Sequence, residues 1–177
     1  MELLQNFWVI QAIGAIALVF IFLSWNAKER KNIFFLQSIN LVFFTIHYLL
    51  LAAYAGAAMC VVVLARNFVF SRKGEEKWAS HPSWLYGFIA LAIGFLLVLW
   101  DGWITLFPIV GIIFGTYAMW NVRPADIRFF MLISALVWIP YVIFVGSYPG
   151  LLNQIVATVG ILAGMYRHDQ KSAGRVN

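Results

Sequence analysis

Long apolar runs alternate with short polar interruptions from one end of the chain to the other. The runs cover about residues 3–23, 33–53, 57–70, 84–100, 104–120, 129–145 and 151–166. None shows the strict apolar–polar alternation of a half-buried strand, and each approaches the length of one bilayer crossing, about 20 helical residues for about 30 Å of hydrocarbon. Seven helices are therefore predicted, because lipid leaves no partner for an unpaired backbone group and a barrel requires alternating segments. The segment from Trp84 to Trp100 organises the rest: it carries no charge, has an interfacial residue type at both ends, and has three runs on either side.

Composition agrees with this pattern and narrows it. The chain is 63% hydrophobic and 11% charged, against roughly 25% charged in an ordinary soluble domain. Residues 1–177 read as a single integral membrane domain with short loops, with a first triplet at 3–70, a linker helix at 84–100, a second triplet at 104–166 and a polar tail at 167–177. The first run is expected to be retained, since no basic stretch precedes it and no small-residue cleavage motif follows. The single cysteine, Cys60, falls inside a run, which excludes an intrachain disulfide and a Cys-rich metal site.

The charges add orientation. All twelve Lys and Arg fall in four groups: Lys28, Arg30 and Lys31; Arg66, Arg72, Lys73 and Lys77; Arg123 and Arg128; Arg167, Lys171 and Arg175. These follow runs one, three, five and seven, with Arg66 still inside the end of run three, while the N-terminus and the other loops carry none. Positive loops stay in the cytoplasm, so the N-terminus is expected outside and the C-terminus inside, which requires an odd number of spans. The net charge of +5 is thus an orientation signal, and nucleic acid is not an expected partner.

The two triplets echo each other. Trp25-Asn26 matches Trp120-Asn121, and Tyr54-Ala55-Gly56 matches Tyr148-Pro149-Gly150, at shifts of 95 and 94. Asn40, His47 and Tyr54, spaced by seven, share one face of span two and map onto Ser134, Tyr141 and Tyr148 of span six. Gln11-x-x-Gly14 is echoed by Pro108-x-x-Gly111. Three spans plus one return the second triplet to the orientation of the first, so the repeats are parallel, with a pseudo-axis along the membrane normal. The fold class read from the sequence is an all-α membrane protein built from two parallel three-helix repeats and a linker helix.

This layout is similar to the SWEET sugar exporters and the wider MtN3/PQ-loop group. The whole chain, from about residue 8 to 167, resembles the YgjV-type bacterial inner-membrane proteins. The resemblance is carried by Gln11-x-x-Gly14, His47-Tyr48-Leu49-Leu50, Tyr54-Ala55-Gly56-Ala57, Arg66, Pro108-Ile109-Val110-Gly111, Arg128 and Trp138. It implies a fold and a compartment, the bacterial cytoplasmic membrane. SWEET-like proteins carry a proline in the first span of each triplet, whereas Pro108 here has Gln11 in the matching place.

Candidate chemistry is sparse. His47 is the only histidine inside a run, and an ionisable group at that depth points to a ligand contact or a proton site, against a neutral ring bonded to a neighbouring helix. With Asn40, Tyr54, Ser134, Tyr141 and Gln11 it forms the expected wall of a cavity between the triplets, joined by Asn153 and Gln154 at the opening of span seven. Arg66 with Asn67 is a cytoplasmic-side candidate, either snorkelling to the headgroups or meeting an anionic ligand. Arg128 reads as a boundary anchor. The glycines of Gly111-x-x-x-Gly115, and Ala157, Gly160 and Gly164 beside Asn153, are expected to let helices approach closely.

No two carboxylates share a membrane depth, so acid–base catalysis has no candidate pair and no enzyme is expected. His81 and His168 lie on the opposite side from His47, and span seven has no lysine for a Schiff base, so no metal or cofactor is expected either. The expected partners are the lipid bilayer and an uncharged small-molecule ligand, with a homo-oligomer left open. Two functions fit: a small-solute or metabolite carrier, and a non-transporting membrane sensor or scaffold of the same fold. A carrier needs the polar stripe to face a wet cavity, whereas a scaffold buries it dry and bonded.

Overall fold

The structure is a computed structural model that describes residues 6–26, 30–121 and 123–173. Of the positions singled out above, Lys28 and Arg175 lie outside the described residues. The side chains of Trp25, Asn26, Arg30, Lys31, Arg167, His168 and Lys171 also lie outside them. All regular secondary structure among the described residues is helical: α1 Phe7–Asn26, α2 Arg30–Leu50, α3 Tyr54–Ser71, α4 Ser83–Val98, α5 Leu106–Trp120, α6 Pro124–Phe144 and α7 Tyr148–Ala173. A 3-10 turn, Trp103–Thr105, leads into α5.

Among the described residues, five segments are long and apolar enough to cross a bilayer: Phe7–Ser24, Tyr54–Ser71, Trp103–Trp120, Ala125–Phe144 and Tyr148–Tyr166. The other two helices have shorter apolar stretches, Phe35–Leu50 and Ser83–Phe95. α2 itself is 21 residues long, enough to cross the hydrocarbon at 1.5 Å per residue. The linker α4 is 16 residues long, about 24 Å at 1.5 Å per residue, less than the hydrocarbon thickness.

Each helix packs on its chain neighbour within 7–71 and within 106–173, and α4 fills the space against α3 and α5. α1 also meets α7, and α3 meets α5, so the two halves touch along two seams. Side-chain bonds define two ends. At one, Ile10 and Gln11 of α1 meet His47 of α2 and the α6–α7 turn. At the other, Arg66 of α3 reaches Thr116 of α5, and the Lys73 amine lies over the Trp120 ring at 3.6 Å while donating to the Trp120 carbonyl. That lysine pins the longest polar loop to the carbonyl end of a helix, where a cation is favoured.

Helix boundaries correct the sequence reading in three places. Span two stops at Leu50, and Tyr54, expected on its polar face, is instead the first residue of α3 and is exposed. Tyr148 likewise opens α7, not the end of span six. The helix of span seven continues to Ala173, through most of what read as a polar tail.

The break at residue 52 has a clear physical cause. Ala53 N–H donates to the Tyr48 carbonyl and Ala52 N–H to that of Leu49, which closes α2 with Ala52 in the left-handed region at φ 55°. The same bonds recur 94 positions later: Ser147 N–H to Val142, Gly146 N–H to Ile143, with Gly146 at φ 67°.

The packed interior consists of two clusters. One gathers Ala17, Phe44, Tyr48, Cys60, Tyr141 and Val142; the other gathers Met59, Val62, Phe70, Phe88, Ile109 and Ile112. The exterior is apolar as well. Leu97 and Val98 are each 79% exposed, Phe144 68% and Phe22 62%. A surface of that kind belongs against hydrocarbon, where it carries no transfer cost.

Candidate functional site

The polar residues of the interior separate into a dry seam and a cavity. In the seam, His47 is fully buried and both ring nitrogens are engaged: Nδ1 lies 2.8 Å from the Ile10 carbonyl and Nε2 2.8 Å from Ser147 Oγ. A carbonyl only accepts, so Nδ1 carries the hydrogen and Nε2 accepts the Ser147 hydroxyl, an assignment made from the network. Ser147 Oγ in turn accepts the Gly150 N–H at 3.1 Å, at the start of α7.

Gln11 closes the same region by donating to the Gly146 carbonyl at 2.8 Å and accepting the Tyr148 N–H at 3.2 Å. The Tyr141 hydroxyl accepts the Gly56 N–H at 2.8 Å, at the start of α3. Tyr141 of α6 thus accepts an N–H in the first turn of α3, and Gln11 of α1 one in the first turn of α7, supplying partners that helix N-termini lack. Gln11, His47 and Tyr141 were expected to line a cavity. They are instead spent on backbone and hydroxyl partners, and Tyr54 stands outside the interior altogether.

The cavity lies alongside this seam. It has a volume of about 270 Å³ and is walled by α1, α2, α3, α5, α6 and α7, with no residue from α4. Its walls match across the two halves. Ile21 and Gly115, Gln37 and Met131, Asn40 and Ser134, Phe44 and Trp138, Cys60 and Gln154, and Val63 and Ala157 each stand 94 positions apart. Two tethers follow the same shift: Asn40 Nδ2 donates to the Ala17 carbonyl and Ser134 Oγ to the Gly111 carbonyl, both at 2.7 Å.

Asn40, Ser134, Asn153 and Gln154 face this cavity, and so do Arg66 and Asn67, which the sequence offered only as a cytoplasmic-side candidate. Among the described residues, the amides of Gln37, Asn153 and Gln154 have no protein hydrogen-bond partner.

Arg66 departs from the snorkelling alternative. It is only 7% exposed, and its Nη1 donates to Thr116 Oγ1 at 3.3 Å and its Nη2 to Asn67 Oδ1 at 3.1 Å. Its Nε is buried with no partner. Both acceptors are neutral, and the cavity wall contains no Asp or Glu. A buried guanidinium in such surroundings bears an effective desolvation penalty on the order of several kcal/mol, which neutral acceptors offset only in part.

Sequence reasoning missed Gln37, Thr116 and Ser147. Gln37 was within reach, since it lies three residues before Asn40 on the same helical face. Thr116 carried no signal, because a lone hydroxyl in an apolar run more often bonds its own helix, and Ser147 carried none, because a serine is ordinary in a turn.

The small-residue expectations separate too. A Cβ at Gly111 would lie 2.5 Å from Trp138 Cδ1, so α5 and α6 do rely on that glycine, whereas Gly160 has nothing within 4 Å and lies on the open face of α7. Pro108, the counterpart of the SWEET-like proline, sits in the first turn of α5, where no helical hydrogen bond is lost. Pro140 lies inside α6, which continues through it to Phe144.

No curated protein and no solved structure matches the chain. A family model does: the bacterial inner membrane protein family Imp-YgjV, over residues 8–172. With nearly the whole chain matched and an apolar exterior around an all-helical interior, the protein belongs to the YgjV family of bacterial inner-membrane proteins.

Proposed function

We propose that this protein is a small-solute carrier of the inner membrane, built as two parallel three-helix units joined by α4, with the solute held between them. The observation that carries the reading is the cavity itself. Six helices wall it, α4 contributes nothing, and its wall residues pair at the same 94-residue shift as the helix-closing turns and the Asn40 and Ser134 tethers. Parallel repeats with a site between them are an established transporter plan. A volume of about 270 Å³ falls near the small end of ligand sites, about 300–1,000 Å³, and suits a metabolite better than a polymer. The segregation of Lys and Arg supports seven spans, with the N-terminus in the periplasm and the C-terminus in the cytoplasm.

A sensor or scaffold is the second reading, and one observation favours it: the His47 end of the polar stripe is dry and bonded. Two measurements decide between them. A thermal-shift screen of the purified protein against sugars, amino acids, vitamins and organic acids finds the ligand, because a binder stabilises the folded state by an amount that grows with the logarithm of concentration over Kd. Counterflow of that ligand into proteoliposomes then tests transport. Saturable counterflow is expected; binding without any flux assigns the protein to the sensor class.

A further inference from the structure

We infer that the cavity binds a small anion, through a carboxylate or phosphate group held by Arg66; this rests on reading the cavity as a ligand site. The seam candidates bind nothing further, since His47, Gln11 and Tyr141 already have their partners. Arg66 does not. A guanidinium offers five N–H donors; two are used, on Thr116 and Asn67, and the buried Nε has none. Among the described residues it makes no ion pair, and the cavity it borders holds no carboxylate. The missing counter-charge is therefore one that a ligand supplies, and the planar donor fork suits the paired oxygens of a carboxylate or phosphate.

The rest of the wall fits the same occupant. Gln37, Asn153 and Gln154 bring unpartnered amides to the cavity, enough to orient the polar remainder of a metabolite without adding charge. The counterpart of Arg66 at the 94-residue shift is Gly160, which brings no side chain. A cavity nearly two-fold in shape is thus one-sided in charge, and an anion with a single charged end binds it in one orientation. The uncharged solute anticipated from the sequence gives way to an anionic one.

The test uses the full chain in nanodiscs of phosphatidylcholine, with unfolding followed by tryptophan fluorescence. Probes are succinate, pyruvate and inorganic phosphate at millimolar concentration, with succinamide as the uncharged control; a parallel arm adds phosphatidylglycerol to the bilayer. We expect an anion, and not succinamide, to raise the melting temperature. Arg66→Gln should weaken that binding by about 30-fold or more, as for loss of one member of a buried charge pair, and Arg66→Lys should keep part of it. The unliganded Arg66→Gln protein should melt no lower than the native one, because a buried charge has been removed.

A shift produced by phosphatidylglycerol alone, and lost in Arg66→Gln, identifies the anion as a lipid headgroup. Equal stabilisation by succinate and succinamide overturns the inference, and so does the absence of an anion effect in both arms. That comparison needs only the native protein and so stands even if a variant fails to fold. Counterflow of an uncharged solute with unaltered rates in Arg66→Gln would leave the carrier reading intact and sink this one. Arg66-dependent anion binding without flux would do the reverse.

Discussion

At the scale of single residues, backbone geometry and hydrogen-bond accounting make two opposite forecasts. Ala52 holds a left-handed conformation that its counterpart in the second half, Gly146, adopts without penalty. A Cβ in that region costs about 1–2 kcal/mol, part of which a glycine returns as entropy of the unfolded chain. Ala52→Gly should therefore stabilise the protein by up to about 1 kcal/mol, read as a raised melting temperature in detergent; a lowered one would show that the α2 cap is not strained. His47 works the other way. Its replacement by Phe takes the imidazole acceptor from the Ser147 hydroxyl and the N–H donor from the Ile10 carbonyl, a loss of about 1–3 kcal/mol for buried polar groups deprived of a partner. The variant should melt earlier while solute affinity stays within about twofold, a difference worth under ~0.5 kcal/mol. Lost affinity at an unchanged melting temperature would return His47 to the binding site.

At the scale of helices, close approach is spent unevenly. The α5–α6 seam depends on Gly111, where an added methyl would meet the Trp138 ring at 2.5 Å and strain the Ser134 tether to the Gly111 carbonyl. Overpacking of that kind costs about 1–3 kcal/mol. Gly160 on α7 meets nothing, and there a glycine only weakens its helix by about 0.5–1 kcal/mol relative to alanine. Gly111→Ala and Gly160→Ala should accordingly shift the melting temperature in opposite directions. Equal losses at both positions would mean that α7 packs against a surface the isolated chain does not contain.

For the whole molecule, the prediction is orientation. In a Cys60→Ala background, cysteines at the exposed positions Lys77 and Asp101 flank α4 at its two ends. In intact cells an impermeant thiol reagent should reach the cysteine at 101 and, only after permeabilisation, the one at 77. Labelling of both before permeabilisation would sink the seven-span topology and the orientation drawn from Lys and Arg. The length of α4, 16 residues, makes this the discriminating place to look, since a helix of about 24 Å spans the hydrocarbon only with local thinning or help from its flanks.

What the sequence determined by itself was whatever depends on local order along the chain. Apolar runs dictate helices in lipid, and the spacing of Tyr54 and Tyr148 announced the shift of 94 that recurs in the turns and tethers. Asn40, Ser134, Asn153 and Gln154 could be singled out because polar groups in an apolar run must face something other than lipid, whereas Arg66 and Asn67 stood only as a cytoplasmic-side candidate. Tertiary structure alone decided what that something was. Asn40 and His47 share a face, yet seven residues are about 10 Å along a helix, far enough for one to border a cavity and the other to enter a dry seam whose partner, Ser147, lies a hundred residues away. A cap at Ala52 turned Tyr54 out of the same stripe. And the charge of Arg66 acquired its meaning only once the surrounding wall proved to contain no carboxylate, because solvation and pairing are properties of neighbours in space, which no periodicity encodes.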